Sequence, residues 1–111
     1  SIQAILTSFR NENLKNIGSF NIVASEDYLT SKRKTSNGTE NIHLPKSNVL
    51  KYIFEDDSWV CLRPSGTEPK VKFYFGVNGE NMEETKRKLS ELEQAFMNLV
   101  DQKLAIVSEN I

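Results

Sequence analysis

One short segment of the sequence combines residue types that suit the binding of a phosphate group. It covers residues 63–72 and reads Arg-Pro-Ser-Gly-Thr-Glu-Pro-Lys-Val-Lys. Gly66 lets the backbone approach an anion closely, so that successive N–H groups can converge on it. Ser65 and Thr67 add two hydroxyl donors, and the planar guanidinium of Arg63 matches two phosphate oxygens at once. These residue types predict a phosphate-binding loop.

The charge and stiffness of this segment favour the same interpretation. Three basic residues against one acidic residue give it a net charge of +2, whereas the whole chain carries −1. Its two prolines restrict the backbone, so less conformational entropy is lost when a ligand binds. The segment is not a Walker loop, because no Gly-Lys-Ser/Thr follows a four-residue spacer. The residues alone leave a second interpretation open, an ordinary polar turn between two antiparallel strands.

Few other residues in the chain suggest chemistry. His43 is the only histidine, which gives a histidine metal site or a Ser-His-Asp triad little to build on, and we expect it in a loop or at a strand edge. Cys61 is the only cysteine, and we expect a buried, inert thiol. Residues 55–57 read as a solvated hairpin turn. Residues 32–34 are all basic and could contact an anion, but we expect a solvated loop or long hairpin there.

Two amphipathic helices and several strands must position the candidate loop. Apolar spacing predicts a helix at the N-terminus and a second helix of about five turns after Asn81, which is a good N-cap with Glu84 three residues later. Alternation and turn signals predict strands in between. The first strand is 20–25, in which Phe20, Ile22 and Ala24 share one face, and it leads to residues 26–28; the others are 48–54, 59–63 and 71–77. In the last of these, Phe73 and Phe75 point away from Lys72 and Tyr74. The apolar stripe of the second helix is Met82, Thr85, Leu89, Leu92, Phe96, Leu99 and Val100. This order predicts an α+β fold, an antiparallel sheet with helices packed on one face.

Composition sets the limits on what the chain can be. Its 111 residues fit one domain, and 14 basic against 15 acidic residues argue against a nucleic-acid binder. No apolar run is long enough to span a bilayer and no signal-peptide pattern opens the sequence, so we expect no membrane partner. A single cysteine is typical of a reducing compartment, which predicts a cytoplasmic protein.

Residues 63–70 closely resemble the phosphate-binding loop of the α-D-phosphohexomutases, the phosphoglucomutase/phosphomannomutase family. The resemblance extends along essentially the whole chain. Its further parts are Ile2 to Arg10, which resembles the first helix of the family's last domain, the element Glu26-Asp27-Tyr28, the segment 44–49, and Lys72-Phe73-Tyr74. The resemblance implies that residues 1–111 are the C-terminal (fourth) phosphate-binding domain of a larger enzyme, with a TATA-binding-protein-like fold.

The resemblance also implies a role for individual residues. Arg63, Ser65, Gly66 and Thr67 match the positions that hold the non-reacting phosphate of a hexose phosphate during 1,6-phosphoryl transfer. Lys72 stands where many members carry Arg and would add a second cation. The family's phosphoserine, magnesium and sugar-binding loops have no counterpart in this chain. We therefore expect no catalytic residue and no metal ligand here, and no mutase activity of the chain alone.

The partners that the resemblance implies are the hexose phosphate and the preceding domains of the same polypeptide, with magnesium as cofactor of the full-length enzyme. The alternative function is a stand-alone anion- or nucleotide-binding module without catalysis. A third hypothesis, a nucleic-acid binder that uses the sheet as a platform, is disfavoured by the balanced charge.

Overall fold

The computed structural model describes residues 2–12, 14–64 and 71–109, and for residues 2, 3 and 104–109 it describes the backbone alone. Its elements in chain order are α1 (Ile2–Asn11), β1 (Asn16–Ile17), β2 (Phe20–Asp27), β3 (Lys32–Thr35), β4 (Gly38–Asn41), β5 (Leu50–Phe54), β6 (Trp59–Pro64), β7 (Val71–Gly76) and α2 (Met82–Glu109).

The strands form one antiparallel sheet in the order β4-β3-β2-β5-β6-β7, with the short β1 beside β2. Because side chains alternate along a strand, one face of the sheet is buried against α1 and α2 and the other is not. The core joins both helices to the covered face. Its sheet residues are Ile17, Phe20, Leu50, Tyr52, Phe54, Val60 and Leu62, and its helix residues are Ile5, Leu6, Phe9, Leu92, Phe96 and Val100. The predicted α+β class is confirmed.

Phe96 of α2 is the centre of the aromatic packing. Its ring stacks on that of Phe9 at 5.6 Å between centroids. It also meets Phe73 and Phe75 of β7 in edge-to-face contacts at 5.2 and 5.7 Å. Such contacts add to the free energy gained by burying the rings. One side chain therefore fixes α1, α2 and β7 relative to each other.

The structure corrects three expectations about these elements. α2 has 28 residues, about eight turns rather than five, because no glycine or proline after Val100 stops it. Met82, at its first position, is 72% exposed and does not belong to the buried stripe. A bulge in β2 between Ile22 and Ala24 shifts the register, so these two residues face opposite sides of the sheet.

Other expectations are confirmed by specific contacts. Asn81 caps α2, since its Oδ1 accepts a hydrogen bond from the Glu84 backbone N–H at 2.8 Å. Residues 32–34 lie in β3, which pairs with β4 in an exposed hairpin, so the hairpin interpretation holds and the loop interpretation is wrong. None of the described helices is long and apolar enough to cross a membrane.

The turn between β5 and β6 is tied to α2 by a carboxylate. Asp56 accepts hydrogen bonds from the Ser58 backbone N–H and from the Lys88 ammonium, both at 3.0 Å. Lys88 also donates to the carbonyl of Asn78 at 2.8 Å. Burial raises the pKa of Asp56, but the hydrogen bonds from Lys88 and Ser58 outweigh it, and the pKa lies below its ordinary value of 3.8.

We expect Phe96→Ala to lower the free energy of unfolding by about 3–5 kcal/mol, because it removes a fully buried ring and leaves a cavity. The matched control is Met97→Ala, whose side chain is 40% exposed; it should cost about 0.5 kcal/mol or less. Urea unfolding followed by circular dichroism measures both. If Phe96→Ala does not fold, Phe96→Leu supplies a smaller, measurable loss. Equal effects at positions 96 and 97 would contradict this account of the core.

We expect the Asp56–Lys88 contact to stabilise the fold at neutral pH and to weaken in acid. Because the folded-state pKa of Asp56 is lowered, its contribution is complete above the ordinary pKa of 3.8 and is lost as the pH falls through the folded-state value. Denaturant unfolding of the wild type and of Asp56→Asn, between pH 7 and pH 2, tests this. The difference in stability should shrink below the ordinary pKa; a difference independent of pH would show that the carboxylate charge contributes nothing.

Candidate phosphate site

The predicted loop is bounded by the end of β6 and the start of β7. Ser65, Gly66 and Thr67 lie outside the described residues, so their contact with phosphate stays a prediction. Arg63 and Lys72 are described, one on each flanking strand. These two cations at the base of the loop are the described part of the candidate site.

The register of β6 and β7 places the two cations side by side. Arg63 pairs directly with Lys72, and the preceding pair is Leu62 with Phe73. Directly opposed residues of an antiparallel pair have Cβ atoms about 4.5–5.5 Å apart. Since Leu62 is fully buried on the helix-covered face, Arg63 and Lys72 lie on the other face, and both are exposed. We call this uncovered side of the sheet the open face.

These two cations lack the partners that other basic residues of the chain have. Arg10 donates to Asp27 at 3.1 Å, and Arg33 donates to Glu26 at 3.2 Å. In the described part of the chain, neither cation at the base of the loop has a hydrogen bond or an ion pair. Two like charges directly opposed across strands destabilise the pair, and a bound anion would relieve the repulsion. The arrangement suits a dianionic ligand.

The positive field of Arg63 reaches the neighbouring thiol. Cys61 is half-buried on the open face, not fully buried as the sequence suggested. Burial raises its pKa, and the nearby charges of Lys51 and Arg63 offset part of that rise. The raised pKa keeps the thiol protonated at neutral pH, in agreement with the expected low reactivity.

Trp59 also lies on the open face near the candidate site, a position that the sequence patterns did not indicate. The indole of Trp59 lies against Gly76, its partner on β7, where an added Cβ would come within 2.3 Å of the indole nitrogen. The Lys51 ammonium sits 5.0 Å from the centre of the tryptophan rings, in a cation–π contact. Only the pairing of Trp59 with Gly76 could have indicated this contact. That pairing depends on the register of β6 and β7, which is not evident from the sequence.

The element Glu26-Asp27-Tyr28 proves to be structural in the described residues. The Asp27 carboxylate holds Arg10 of α1 and also accepts the backbone N–H of Leu29 at 3.0 Å. Tyr28 donates its hydroxyl proton to Glu26 at 2.9 Å. Burial, and then this hydrogen bond, raise the pKa of Tyr28 to about 12. The element joins α1 and β3 to β2.

The other residues that the sequence analysis considered as functional candidates lie elsewhere in the structure. His43 is exposed in the connection between β4 and β5, as expected. Residues 55–57 form the turn before β6, also as expected. A cleft of about 410 Å³ lies between α1 and the strands β2 and β3, and its lining includes Arg10, Lys32 and Lys34 but neither Arg63 nor Lys72. Among the described residues no three His, Cys, Asp or Glu side chains come together as metal ligands.

Comparison with known proteins decides the family. Residues 10–98 match the family model "Phosphoglucomutase/phosphomannomutase, C-terminal domain". The chain belongs to this family. The matched range includes both cations and the whole of the predicted loop, so the resemblance of residues 63–70 is part of a family-wide match.

Individual relatives agree with the family model. The chain is 40% identical over 85 residues to a phosphoglucomutase of Staphylococcus saprophyticus, covering 75% of this chain and 15% of the relative. It is 40% identical over 91 residues to a phosphoglucomutase of Staphylococcus aureus, covering 80% of this chain and 16% of the relative. The chain therefore spans about a sixth of the length of these relatives. A search of solved structures found no significant match.

Proposed function

We propose that residues 1–111 are the C-terminal domain of a phosphohexomutase and that this domain clamps the non-reacting phosphate of the hexose phosphate. The observation that carries the proposal is the exposed pair of Arg63 and Lys72 at the base of the loop, without an acidic partner in the described residues. The membership of the chain in the phosphoglucomutase/phosphomannomutase C-terminal domain family supports it.

Each residue of the clamp would contribute a different kind of contact. The Arg63 guanidinium would donate two parallel hydrogen bonds to phosphate oxygens, and Lys72 would act as a second point charge. Ser65, Gly66 and Thr67 would donate from hydroxyl and backbone groups. Binding energy from this remote phosphate would orient the sugar for reaction at its other end.

The chemistry itself would belong to the rest of the polypeptide. The proposal assigns the phosphoserine, the magnesium ion and the sugar-binding loop to preceding domains, in a cytoplasmic enzyme that closes over its substrate by a hinge motion. The described residues bring no metal-ligand cluster together, so no magnesium-dependent step is assigned to this chain.

The 111-residue chain alone should show no mutase activity, because the proposal gives it neither nucleophile nor metal ligands. The assay uses glucose 1-phosphate with magnesium and a bisphosphorylated activator, and an intact phosphoglucomutase as positive control. Turnover by the pure chain would overturn this assignment of roles. Phosphate binding by the chain, with no mutase activity in the protein that contains it, would identify a stand-alone anion-binding module instead.

Arg63→Ala should weaken phosphate binding strongly and leave the fold intact. Hydrogen bonds to charged groups contribute about 1.5–3 kcal/mol each, so affinity for inorganic phosphate should fall by roughly 10- to 100-fold. Arg63→Lys should recover only part of it, because an ammonium cannot reproduce the planar fork. NMR titration with inorganic phosphate measures affinity, and the amides of residues 65–67 should shift first.

Two controls separate binding from stability in this experiment. Lys32→Ala removes a cation from the hairpin, where Lys32 donates to Asn41 at 2.6 Å, and should leave phosphate affinity unchanged. The melting temperature of Arg63→Ala should equal that of the wild type, since the side chain is exposed on the open face. In an intact enzyme that contains this domain, the same substitution should lower kcat/KM by roughly 100-fold. A lowered melting temperature with unchanged kinetics would make Arg63 a structural residue.

A further inference from the structure

Two Asn-Gly pairs in the sequence, Asn37-Gly38 and Asn78-Gly79, have the chemistry for self-modification. The backbone nitrogen of the glycine can attack the side-chain carbonyl carbon of the asparagine, so that ammonia leaves and a cyclic succinimide forms. Water then opens the ring and gives aspartate or isoaspartate, which carries an extra methylene in the backbone. Glycine allows this step because it has no Cβ to obstruct the approach and its backbone dihedrals change easily. The sequence does not distinguish the two pairs, but their surroundings in the structure differ.

Asn37 lies in the exposed turn of the β3–β4 hairpin, at one edge of the sheet. Its backbone N–H donates to the Thr35 hydroxyl at 3.1 Å, and its side chain has no hydrogen bond in the described part of the chain. Gly38 has a φ of +127° and open space around it, since an added Cβ would meet no atom within 4 Å. No contact among the described residues therefore keeps the Asn37 side-chain amide away from the glycine nitrogen.

Reaction at Gly38 also needs its nitrogen to be free of the hairpin hydrogen bonds. Thr35 and Gly38 form the last pair of the hairpin, next to the turn. The strand β4 is exposed along its whole length and forms the edge of the sheet beside β3. Opening of the last pair at such an edge costs little free energy compared with unfolding of the chain. The reactive conformation is therefore reached by fraying of the turn while the core stays folded.

The second pair, Asn78-Gly79, is held by hydrogen bonds. The Asn78 side-chain Nδ2 donates to the carbonyl of Asp56 at 3.2 Å, and its backbone N–H donates to the buried Ser58 hydroxyl at 3.3 Å. The carbonyl of Asn78 accepts a hydrogen bond from Lys88 at 2.8 Å. Gly79 packs against the first turn of α2, where an added Cβ would come within 2.6 Å of a backbone nitrogen. The rotations that close the succinimide ring would break these contacts.

We propose that Asn37 is a site of spontaneous deamidation in the folded chain, whereas Asn78 is protected by its hydrogen bonds. The reaction consumes water and releases ammonia, and it requires no enzyme and no metal. It replaces a neutral amide with a carboxylate, so the net charge of the chain falls by one from −1. The site is separate from the proposed phosphate clamp, because β3 and β4 lie at the opposite edge of the sheet from β7.

Peptide mapping by mass spectrometry tests both asparagines in one sample. The 111-residue chain is incubated at mildly alkaline pH, and a short digestion with trypsin at mildly acidic pH then releases residues 35–46 and 73–86 as separate peptides. The mass increase of deamidation, located by fragmentation of each peptide, gives a rate for each asparagine. The same incubation in concentrated guanidinium chloride gives the two rates in the unfolded chain.

In the folded chain Asn37 should deamidate faster than Asn78 by roughly 10-fold or more, because opening at residues 78–79 costs more free energy than fraying of the turn. In guanidinium chloride the two rates should become similar, since both asparagines precede glycine. Equal rates in the folded chain, or a faster reaction at Asn78, would overturn the proposal. So would a folded chain in which Asn37 stays intact while it reacts in the unfolded chain.

Variants test whether the hydrogen bonds protect Asn78. Lys88→Met removes the donor to the Asn78 carbonyl and should speed deamidation there several-fold, with the rate at Asn37 unchanged. The matched control is Lys86→Met, exposed on the same helix, which should change neither rate; its tryptic peptide then ends at residue 87. If Lys88→Met does not fold, Ser58→Ala removes the acceptor of the Asn78 N–H instead. An unchanged rate at Asn78 in a folded variant would overturn the protection.

Discussion

The register between β6 and β7 is the constraint on which both the core and the candidate site depend. The pair of Leu62 and Phe73 faces the helices, and the next pair, Arg63 and Lys72, faces the other way. Because side chains alternate with a period of two, a slip by one residue would bury two charges and expose two apolar residues. The contact of Phe73 with Phe96 on α2 fixes the correct alternative. Packing on one face thus positions the cations on the other.

Much of this fold could be predicted from the sequence, because alternation and helical spacing report directly which side chains are buried. Phe73 and Phe75 were expected to face away from Lys72, and they do. What could not be predicted depends on contacts between distant segments. The β2 bulge and the place of Trp59 against Gly76 both follow from pairing with other strands. The length of α2 was underestimated although no residue after Val100 would end it.

The candidate site could likewise be predicted where it depends on neighbouring residues in the sequence, but not where it depends on contacts between distant segments. Residue types alone marked the segment 63–72, because glycine, hydroxyls and a guanidinium in one loop suit phosphate. Sequence reasoning did not show that Arg63 and Lys72 are direct neighbours, since this needs the register of β6 and β7. It also did not distinguish free cations from those with structural partners. Arg10 and Arg33 resemble Arg63 in type, but each is held by a carboxylate.

Because only some cations have carboxylate partners, the net charge of the chain does not describe the local charge of the open face. A total of −1 describes the whole surface, whereas a ligand experiences the field of the few charges near it. Acidic residues close to the sheet are used to hold α1, the β3–β4 hairpin and the turn at Asp56. Three cations of β5–β7 are left without carboxylate partners in the described residues. Carboxylates of the described residues thus hold the fold together at these three places, whereas Arg63 and Lys72 stay exposed for the anionic ligand that the proposed function requires.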